Sequence, residues 1–238
     1  MNAGERATFA CQRLHLGTVD FQAAVELQSK LAMEIAAGKR SPVLLLLEHP
    51  PVFTLGRMAK ADHLLWSKAE LEQHGIQALS CDRGGDITYH GPGQLVGYPL
   101  IPLARFETQR GGIPKADYVG YIRKLERTLI LALERLGVGA VTRAGYTGVW
   151  VPGDGSTAPA MKIASIGVRI DANAITRHGF ALNIATTMEH WQGIVACGID
   201  GVKMGNLSDW LDPVPSMDRV TRVIEAAFSE VFGVVWVE

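Results

Sequence analysis

A glycine-rich segment between two apolar runs places the strongest constraint on how this chain can fold. Residues 83–94 read RGGDITYHGPGQ and contain four glycines and one proline. Glycine lets the backbone approach a ligand closely or adopt a positive φ, and proline fixes a turn. The remaining side chains supply hydrogen-bond donors and acceptors. The segment is typical of a binding loop, and an ordinary glycine-rich hairpin is the alternative interpretation.

Apolar periodicity along the rest of the chain predicts helices and strands. Helical spacing predicts helices over residues 22–37, 62–74, 118–136 and 217–231. Short apolar or alternating runs predict strands over residues 43–47, 76–80, 87–89, 95–100, 149–151, 162–170 and 179–184. Several of these strands follow one another without an intervening helix. The sequence therefore predicts an α/β (α+β) fold with a mixed β-sheet flanked by helices, rather than a doubly wound parallel sheet.

Length and charge limit the classes of protein to which the chain can belong. With 238 residues, 47% of them hydrophobic, the chain can bury one large core, so we expect a single domain over residues 1–238. The formal net charge of −1 gives no overall basic field for nucleic acid. The first residues lack a signal-peptide pattern, and no run of about 18 apolar residues could cross a bilayer. We therefore expect a cytoplasmic protein with no nucleic-acid or membrane partner.

The positions of cysteine and histidine argue against disulfides and metal sites. Cys11, Cys81 and Cys197 are odd in number and far apart, which indicates reduced thiols. The seven histidines are scattered, without H-E-x-x-H or C-x-x-C spacing, so we expect no metal ion. His90 and His178 are open to two interpretations, as polar groups of a site or as ordinary core or turn histidines.

Cys197 is the strongest candidate for a nucleophile. A lone cysteine is usually a small buried apolar residue. Here Gly198 follows directly and Gly193 precedes by four residues, which predicts a turn that backbone and ligand can approach closely. A thiol is already nucleophilic near neutral pH and suits attack on a thioester. Cys81 is a rival that packing at the end of an apolar strand explains better, and Cys11 has no feature in its favour.

Lys162 is the second candidate because its neighbours are apolar. Most lysines are solvated charges, yet Met161, Ile163 and Ala164 indicate a buried setting for this one. Burial disfavours the charged ammonium, so a buried lysine gives up its proton more readily and can act as a base. A solvated charge on a strand is the alternative interpretation.

Five segments, taken in order, resemble the motifs of the lipoyl(octanoyl) transferases. They are EHPPVFTLG at residues 48–56, the glycine-rich segment at 83–94, MKIASIGVRI at 161–170, HGFALNI at 178–184 and ACGI at 196–199. Enzymes of this family move an octanoyl group from acyl carrier protein to a lysine of lipoate-dependent enzymes. One departure is visible, because Ala196 stands where the family commonly has proline before the cysteine.

The resemblance implies a fold, a reaction and a set of partners. The fold would be the α/β core of the biotin and lipoate protein ligases, with the motifs in a core of about residues 43–200. The donor would be octanoyl-acyl carrier protein. The acceptors would be the lipoyl domains of 2-oxoacid dehydrogenases and the H-protein of glycine cleavage. The reaction would need no cofactor.

The resemblance also implies roles for individual residues. Cys197 would carry the octanoyl group as a thioester, and Lys162 would pair with it in a dyad that moves protons. The acyl group would be bound by three segments, namely Arg83, Gly84, Gly85, Asp86, Ile87, Thr88, Tyr89 and His90, then Ser165, Ile166 and Gly167, then Gly179, Phe180 and Ala181.

Two other functions are compatible with the same sequence. The first is an ATP-dependent lipoate or biotin protein ligase on the same fold, against which the lack of a G-x-x-x-x-G-K-[ST] segment argues. The second is a non-catalytic module that binds an acyl carrier protein or a fatty acyl chain. Such a module would keep the glycine-rich segment but would not need Cys197 together with Lys162.

Two surface features carry further expectations. Residues 152–159 are rich in Gly, Pro, Ser and Thr and predict a mobile loop. Because acyl carrier proteins and lipoyl domains are generally acidic, we expect a basic patch near the active site. The richest local supply of positive charge is Arg105, Arg110, Lys115, Arg123, Lys124 and Arg127. A solvated helix face is the alternative interpretation of the last three.

Overall fold

A large mixed sheet with helices on both faces, and a smaller sheet beside it, form the part of the chain that the structure describes. The structure is a computed structural model, and it describes residues 8–103, 117–153 and 159–238. The helices are α1 (Phe21–Ala36), α2 (Lys68–Gln73), α3 (Tyr118–Arg135) and α4 (Met217–Phe232). The strands are β1 (Phe9–Thr18), β2 (Val43–Glu48), β3 (Val52–Leu55), β4 (Gln77–Ser80), β5 (Ile87–His90), β6 (Gln94–Leu100), β7 (Val141–Arg143), β8 (Tyr146–Val151), β9 (Met161–Ile170), β10 (Thr176–Asn183), β11 (Lys203–Met204) and β12 (Val234–Val237).

The main sheet combines parallel and antiparallel strands. Its order is β12-β1-β2-β6-β10-β9-β8-β7, and β11 pairs with β9 outside this path. Strand β1 is parallel to both β12 and β2, and β11 is parallel to β9. The other pairs of this sheet are antiparallel. The expectation of a mixed sheet flanked by helices is confirmed.

Strand β2 shows why the sheet is covered on both faces. Its residues Val43, Leu45 and Leu47 pack in an apolar cluster with α1. Its alternate residues Leu44 and Leu46 pack in a second cluster with α3 and α4. Successive side chains of a strand point to opposite faces, so a continuous apolar run is the pattern of a strand buried on both sides.

The small sheet places one polar face opposite the main sheet. Its order is β4-β3-β5, with β3 and β5 antiparallel. On β5, Ile87 and Tyr89 belong to a third apolar cluster together with Phe53. Alternation turns Thr88 and His90 the other way, where both line a cavity against the main sheet.

The helix predicted over residues 62–74 forms only in its second half, from Lys68 to Gln73. Only Ala61–His63 forms a short 3-10 helix, and α2 begins after Ser67. The side chains of Ser67 and Glu70 cap each other's backbone N–H groups, which fixes the start of the helix there. Between the two helices the chain is extended, because Leu64 pairs with Ile194 in an isolated bridge.

Further differences concern strands that lie outside the predicted elements. Strand β1 was not predicted, although Arg13 and His15 alternate with Leu14 and Leu16 in the pattern of a strand. Strand β12 also lies outside the predicted elements. Most of the predicted 152–159 loop, residues 154–158, lies outside the described residues.

Among the described helices, none has both the length and the apolar character needed to span a bilayer.

Candidate active site

A cavity of about 360 Å³ lies between the small sheet and strands β9 and β10 of the main sheet. Lys162 and Cys197 both line it. The other predicted site residues in its wall are Arg83, Gly85, Asp86, Ile87, Thr88, His90, Ser165, Ile166, Gly167, Gly179, Phe180 and Ala181. Three segments that are distant in sequence therefore meet around one space.

Two predicted site residues, Gly84 and Tyr89, lie outside the cavity wall. The N–H of Gly84 donates to the carbonyl of Val168 at 3.0 Å, which fastens the glycine-rich segment to β9. The Tyr89 ring packs edge-on against Phe53, and its hydroxyl hydrogen-bonds with His190 at 2.8 Å. These two residues support the wall from behind.

Arg83 is a buried cation beside the cavity. It is only 6% exposed. Its Nη2 donates to Thr54 Oγ1 at 2.9 Å, and its Nη1 donates to the Gly84 carbonyl at 3.0 Å. No carboxylate of the described residues lies within ion-pair distance of it. The guanidinium thus fixes β3 against the glycine-rich segment and adds positive charge to the site.

The turn that carries Cys197 has an uncommon backbone conformation. Cys197 has φ +57°, and Gly198 has φ +66°. Residues other than glycine occupy this left-handed region rarely, and such strain often marks functional sites. A Cβ at Gly198 would lie 2.5 Å from Asp86 Oδ2, so only glycine fits after the cysteine. The turn brings the thiol to the cavity wall.

The environment of Cys197 lowers the pKa of its thiol. Burial alone raises this pKa, but the charge of Lys162 and hydrogen bonding by Ser165 and Lys162 outweigh burial. Ser165 Oγ lies 3.6 Å from the sulfur. Because the thiolate is the reactive form, Cys197 becomes nucleophilic at a lower pH than an ordinary cysteine.

Lys162 is held by a bend in β8 that the sequence did not reveal as part of the site. The side chain is 2% exposed, and its Nζ donates to the Thr147 carbonyl at 3.0 Å. The ammonium also lies 4.8 Å from the centroid of the Trp150 ring, a favourable cation–π distance. Gly145 and Gly148 flank this bend. These two closely spaced glycines are the feature of the sequence that could have indicated the bend.

His90 is a neutral group of the cavity wall. Its Nδ1 lies 2.7 Å from Gln94 Oε1. The Gln94 amide nitrogen donates to Tyr89 and Asn183, so its oxygen is the acceptor and His90 carries its proton on Nδ1. Burial lowers the pKa of His90 well below its ordinary value. His90 is therefore suited to accept a hydrogen bond in the cavity but not to carry charge.

His178 connects the cavity wall to an ion cluster. Its Nε2 lies 2.6 Å from Asp82 Oδ1, and Asp82 also pairs with Arg169 and Arg177. Burial lowers the pKa of His178, although the hydrogen bond to Asp82 opposes this shift. The hydrogen bond from His178 is the main cause that lowers the pKa of Asp82. His178 has φ +55°, a second strained position in the site.

The chemistry that this arrangement supports is thiol-based acyl transfer. It combines a thiol of lowered pKa, a buried lysine and a cavity whose wall includes Ser165, Gly167, Gly179 and Ala181. Burying six methylenes of a straight acyl chain would contribute about 5 kcal/mol at about 0.8 kcal/mol each. Among the described residues, no three His, Cys, Asp or Glu side chains are grouped to hold a metal ion.

Comparison with known sequences places the chain among acyl-transfer proteins. The model of the lipoyl protein ligase A/B catalytic domain matches residues 20–229. An octanoyltransferase of Koribacter versatilis is 40% identical over 95% of this chain and 87% of its own length. An octanoyltransferase of Acidobacterium capsulatum is 42% identical over 94% of this chain and 92% of its own length.

Comparison with solved structures places the fold with the protein ligases. A bipartite lipoate protein ligase from Thermoplasma acidophilum is similar with a TM-score of 0.69 and 18% identity, over 97% of this chain and 86% of that one. A biotin protein ligase from Aquifex aeolicus is similar with a TM-score of 0.52 and 12% identity, over 93% of this chain and 68% of that one. At these identities the likeness concerns the fold alone.

Proposed function

The chain belongs to the lipoyl protein ligase A/B catalytic domain family and, within it, to the octanoyltransferases, and we propose that it works through a thioester on Cys197 with Lys162 as the base. The reaction moves an octanoyl group from acyl carrier protein to a lysine of an acceptor protein. One observation supports the mechanism above all. The only thiol in the wall of the cavity that the described residues form is Cys197, and Lys162 lies close enough to lower its pKa.

In the first half-reaction, the neutral amine of Lys162 takes the thiol proton, which gives a thiolate beside an ammonium, and the Cys197 sulfur attacks the carbonyl carbon of the donor thioester. The bond between that carbon and the sulfur of the donor arm then breaks. Lys162 returns the proton to the leaving thiolate. The octanoyl group is left on Cys197 as a new thioester, so the exchange is close to thermoneutral.

In the second half-reaction, the amine of an acceptor lysine attacks the carbonyl carbon of this thioester. The amine loses a proton to Lys162, the bond to the Cys197 sulfur breaks, and the thiolate recovers its proton from Lys162. An amide is more stable than a thioester, so the transfer runs downhill without nucleotide. This differs from an ATP-dependent ligase, which must first activate a free acid.

The cavity wall favours a straight, medium-length acyl chain. Gly167 and Gly179 are opposite each other in the β9–β10 pairing, and Ser165 is opposite Ala181. All four residues line the cavity, and they add little side-chain volume to its wall. The neutral His90 lies in the same wall and is suited to orient a polar group or water near the acyl carbonyl.

The acceptors that fit this function are lipoyl domains, and we include those of 2-oxoacid dehydrogenases and the H-protein of glycine cleavage. The proposal also covers a single catalytic domain over residues 1–238, working in the cytoplasm. Of the predicted docking patch, Arg105, Arg110 and Lys115 lie outside the described residues. Arg123 is paired with Glu126, so the docking role of this patch stays a prediction.

Intact-mass spectrometry tests the proposal directly. After incubation with octanoyl-acyl carrier protein and no nucleotide, we expect the protein to gain the mass of one octanoyl group, with peptide mapping assigning it to Cys197. Cys197→Ser should lose the labile thioester and nearly all transfer, whereas the matched Cys81→Ser should keep both. A requirement for ATP would favour a ligase, and no covalent change would favour a binding module.

A further inference from the structure

A buried carboxylate that the proposed reaction does not use lies behind the lysine of the dyad. Glu126 of α3 is only 1% exposed. A carboxylate is costly to bury unless charged or hydrogen-bonding partners compensate it. Its Oε2 accepts from Arg123 Nη1 at 2.5 Å, and its Oε1 accepts from the N–H of Gly148 at 3.1 Å. One of its oxygens is therefore committed to the backbone of β8.

The peptide group that Glu126 binds is the same one that binds Lys162. The Gly148 N–H and the Thr147 carbonyl are the two ends of one planar peptide unit. The N–H end donates to Glu126, and the carbonyl end accepts from Lys162 Nζ at 3.0 Å. Hydrogen bonds in series polarise one another, so a negative charge at one end makes the carbonyl at the other end a stronger acceptor.

The space around the Lys162 side chain leaves it little freedom. Gly148 has φ +120°, and a Cβ there would lie 2.8 Å from Lys162 Cε. The Trp150 ring lies 4.8 Å from the ammonium. No carboxylate of the described residues lies within ion-pair distance of Lys162, so Glu126 reaches this cation only through the peptide. The bend in β8 thus sets where the ammonium lies.

We propose that Glu126 is a positioning residue that holds the Lys162 ammonium beside the Cys197 sulfur through the Thr147–Gly148 peptide. The inference rests on the proposed dyad and adds a third member to it. A purely structural role, in which Glu126 only fastens α3 to β8, is the competing explanation. The two differ in one respect, because only the positioning role makes the ionisation of the Cys197 thiol depend on Glu126 by way of Lys162.

The test measures the alkylation of Cys197 by iodoacetamide as a function of pH, in the full chain and with peptide mapping. Glu126→Gln keeps the size and one acceptor but removes the charge, and Glu126→Ala removes both. We expect the alkylation midpoint to move to higher pH in both variants, more in Ala than in Gln. At pH values below the midpoint, the rate should fall by roughly three- to tenfold.

The matched control is Glu134→Gln, the same substitution at an exposed position of the same helix. We expect it to leave the alkylation midpoint of Cys197 unchanged. Thermal unfolding of each variant separates loss of the fold from loss of positioning. An unchanged midpoint in both Glu126 variants, with the Lys162→Ala midpoint raised, would overturn the role of Glu126 and leave the dyad intact.

The decisive measurement is Glu126→Gln in a Lys162→Ala background. If Glu126 acts through Lys162, the double variant should have the same midpoint as Lys162→Ala alone, because the intermediary is already gone. A further shift of the same size as in the wild-type background would overturn the inference. A Lys162→Ala midpoint equal to that of the wild type would overturn the dyad itself and this inference with it.

Discussion

Two cysteines in different parts of the molecule, Cys11 in β1 and Cys197 in the turn beside the cavity, have thiols whose pKa values move in opposite directions. Cys11 is fully buried, and burial raises the pKa of its thiol to about 12. Burial acts on Cys197 as well, but Lys162 and Ser165 outweigh it and the pKa is lowered. Burial by itself makes a thiol inert, and a charged neighbour reverses the effect.

The backbones of the two regions differ as much as their charges. Cys11 lies in a regular strand between β2 and β12, and its sulfur packs in the apolar cluster of α3 and α4. Cys197 lies in a turn and has a left-handed backbone conformation that residues other than glycine adopt rarely. The regular strand packs the Cys11 thiol into the core, whereas the strained turn places the Cys197 thiol where a substrate in the cavity can reach it. Each of the following substitutions tests one cause of this difference.

The largest effect should come from Lys162, which is the main cause that lowers the thiol pKa. We expect Lys162→Ala to reduce kcat/KM for octanoyl-acyl carrier protein by about 10²- to 10⁴-fold, the usual contribution of a general base. Lys162→Arg should be nearly as inactive, since a guanidinium stays protonated. If Lys162→Arg kept most of the activity, Lys162 would act only as a fixed cation. Its charge, and not proton transfer, would then explain why Cys197 is reactive and Cys11 is not.

A somewhat smaller effect should follow from Gly148→Ala, which displaces the lysine without removing it. The new methyl group would meet the Ala164 carbonyl oxygen at 2.6 Å and Lys162 Cε at 2.8 Å, in a backbone conformation that only glycine adopts easily. We expect kcat/KM to fall by up to about 10²-fold, as displacements of about 1 Å can cause. Gly139→Ala, where a Cβ would meet nothing within 4 Å, is the control and should keep full activity.

Ser165→Ala should sharpen the comparison by removing only the hydrogen bond to the sulfur. The hydroxyl lies 3.6 Å from Cys197, so its contribution to the thiolate is modest. We expect about fivefold slower alkylation of Cys197 at pH values below the midpoint, equivalent to about 1 kcal/mol. The alkylation of Cys81 in the same samples serves as an internal reference. An unchanged midpoint for Cys197 would assign the whole shift to Lys162.

The smallest effect on activity should come from Cys11, and its effect should be on stability. Cys11→Ala should leave kcat/KM unchanged. Because the pKa of Cys11 in the folded protein, about 12, exceeds its unfolded value, the neutral thiol stabilises the fold below the unfolded value. That contribution is lost as the pH rises towards 12. By about pH 10.5 the free energy of unfolding should have fallen by about 2 kcal/mol. Denaturant unfolding should show a steeper alkaline loss for the wild type than for Cys11→Ala.

The elements around the cavity were predictable from the sequence because their signals are local. A continuous apolar run predicted β2, and the helical spacing before Gly137 predicted α3. The glycine after Cys197 predicted a turn, and the structure has one there. These patterns depend on neighbours a few residues away, which a single sequence displays directly.

The surroundings of Lys162 could not be predicted in the same way because they depend on strand pairing. Trp150 meets the ammonium only because β8 pairs with β9, where Trp150 and Lys162 are partners in the register. The error over residues 62–74 has a different origin. The predicted helix begins at residue 62, although the Ser67–Glu70 spacing of a capping box is present five residues later.

The place of β1 between β2 and β12 has a consequence for how the molecule is made in the cell. Phe9 pairs with Val234 and Gln12 with Val237, so one edge of β1 has its partner near the other end of the sequence. During synthesis that edge stays unpaired until the ribosome has added the last strand. An unpaired strand edge is a template for joining other chains. A chain that ended within α4 would therefore expose this edge of β1, even though every residue of the cavity wall comes earlier in the sequence.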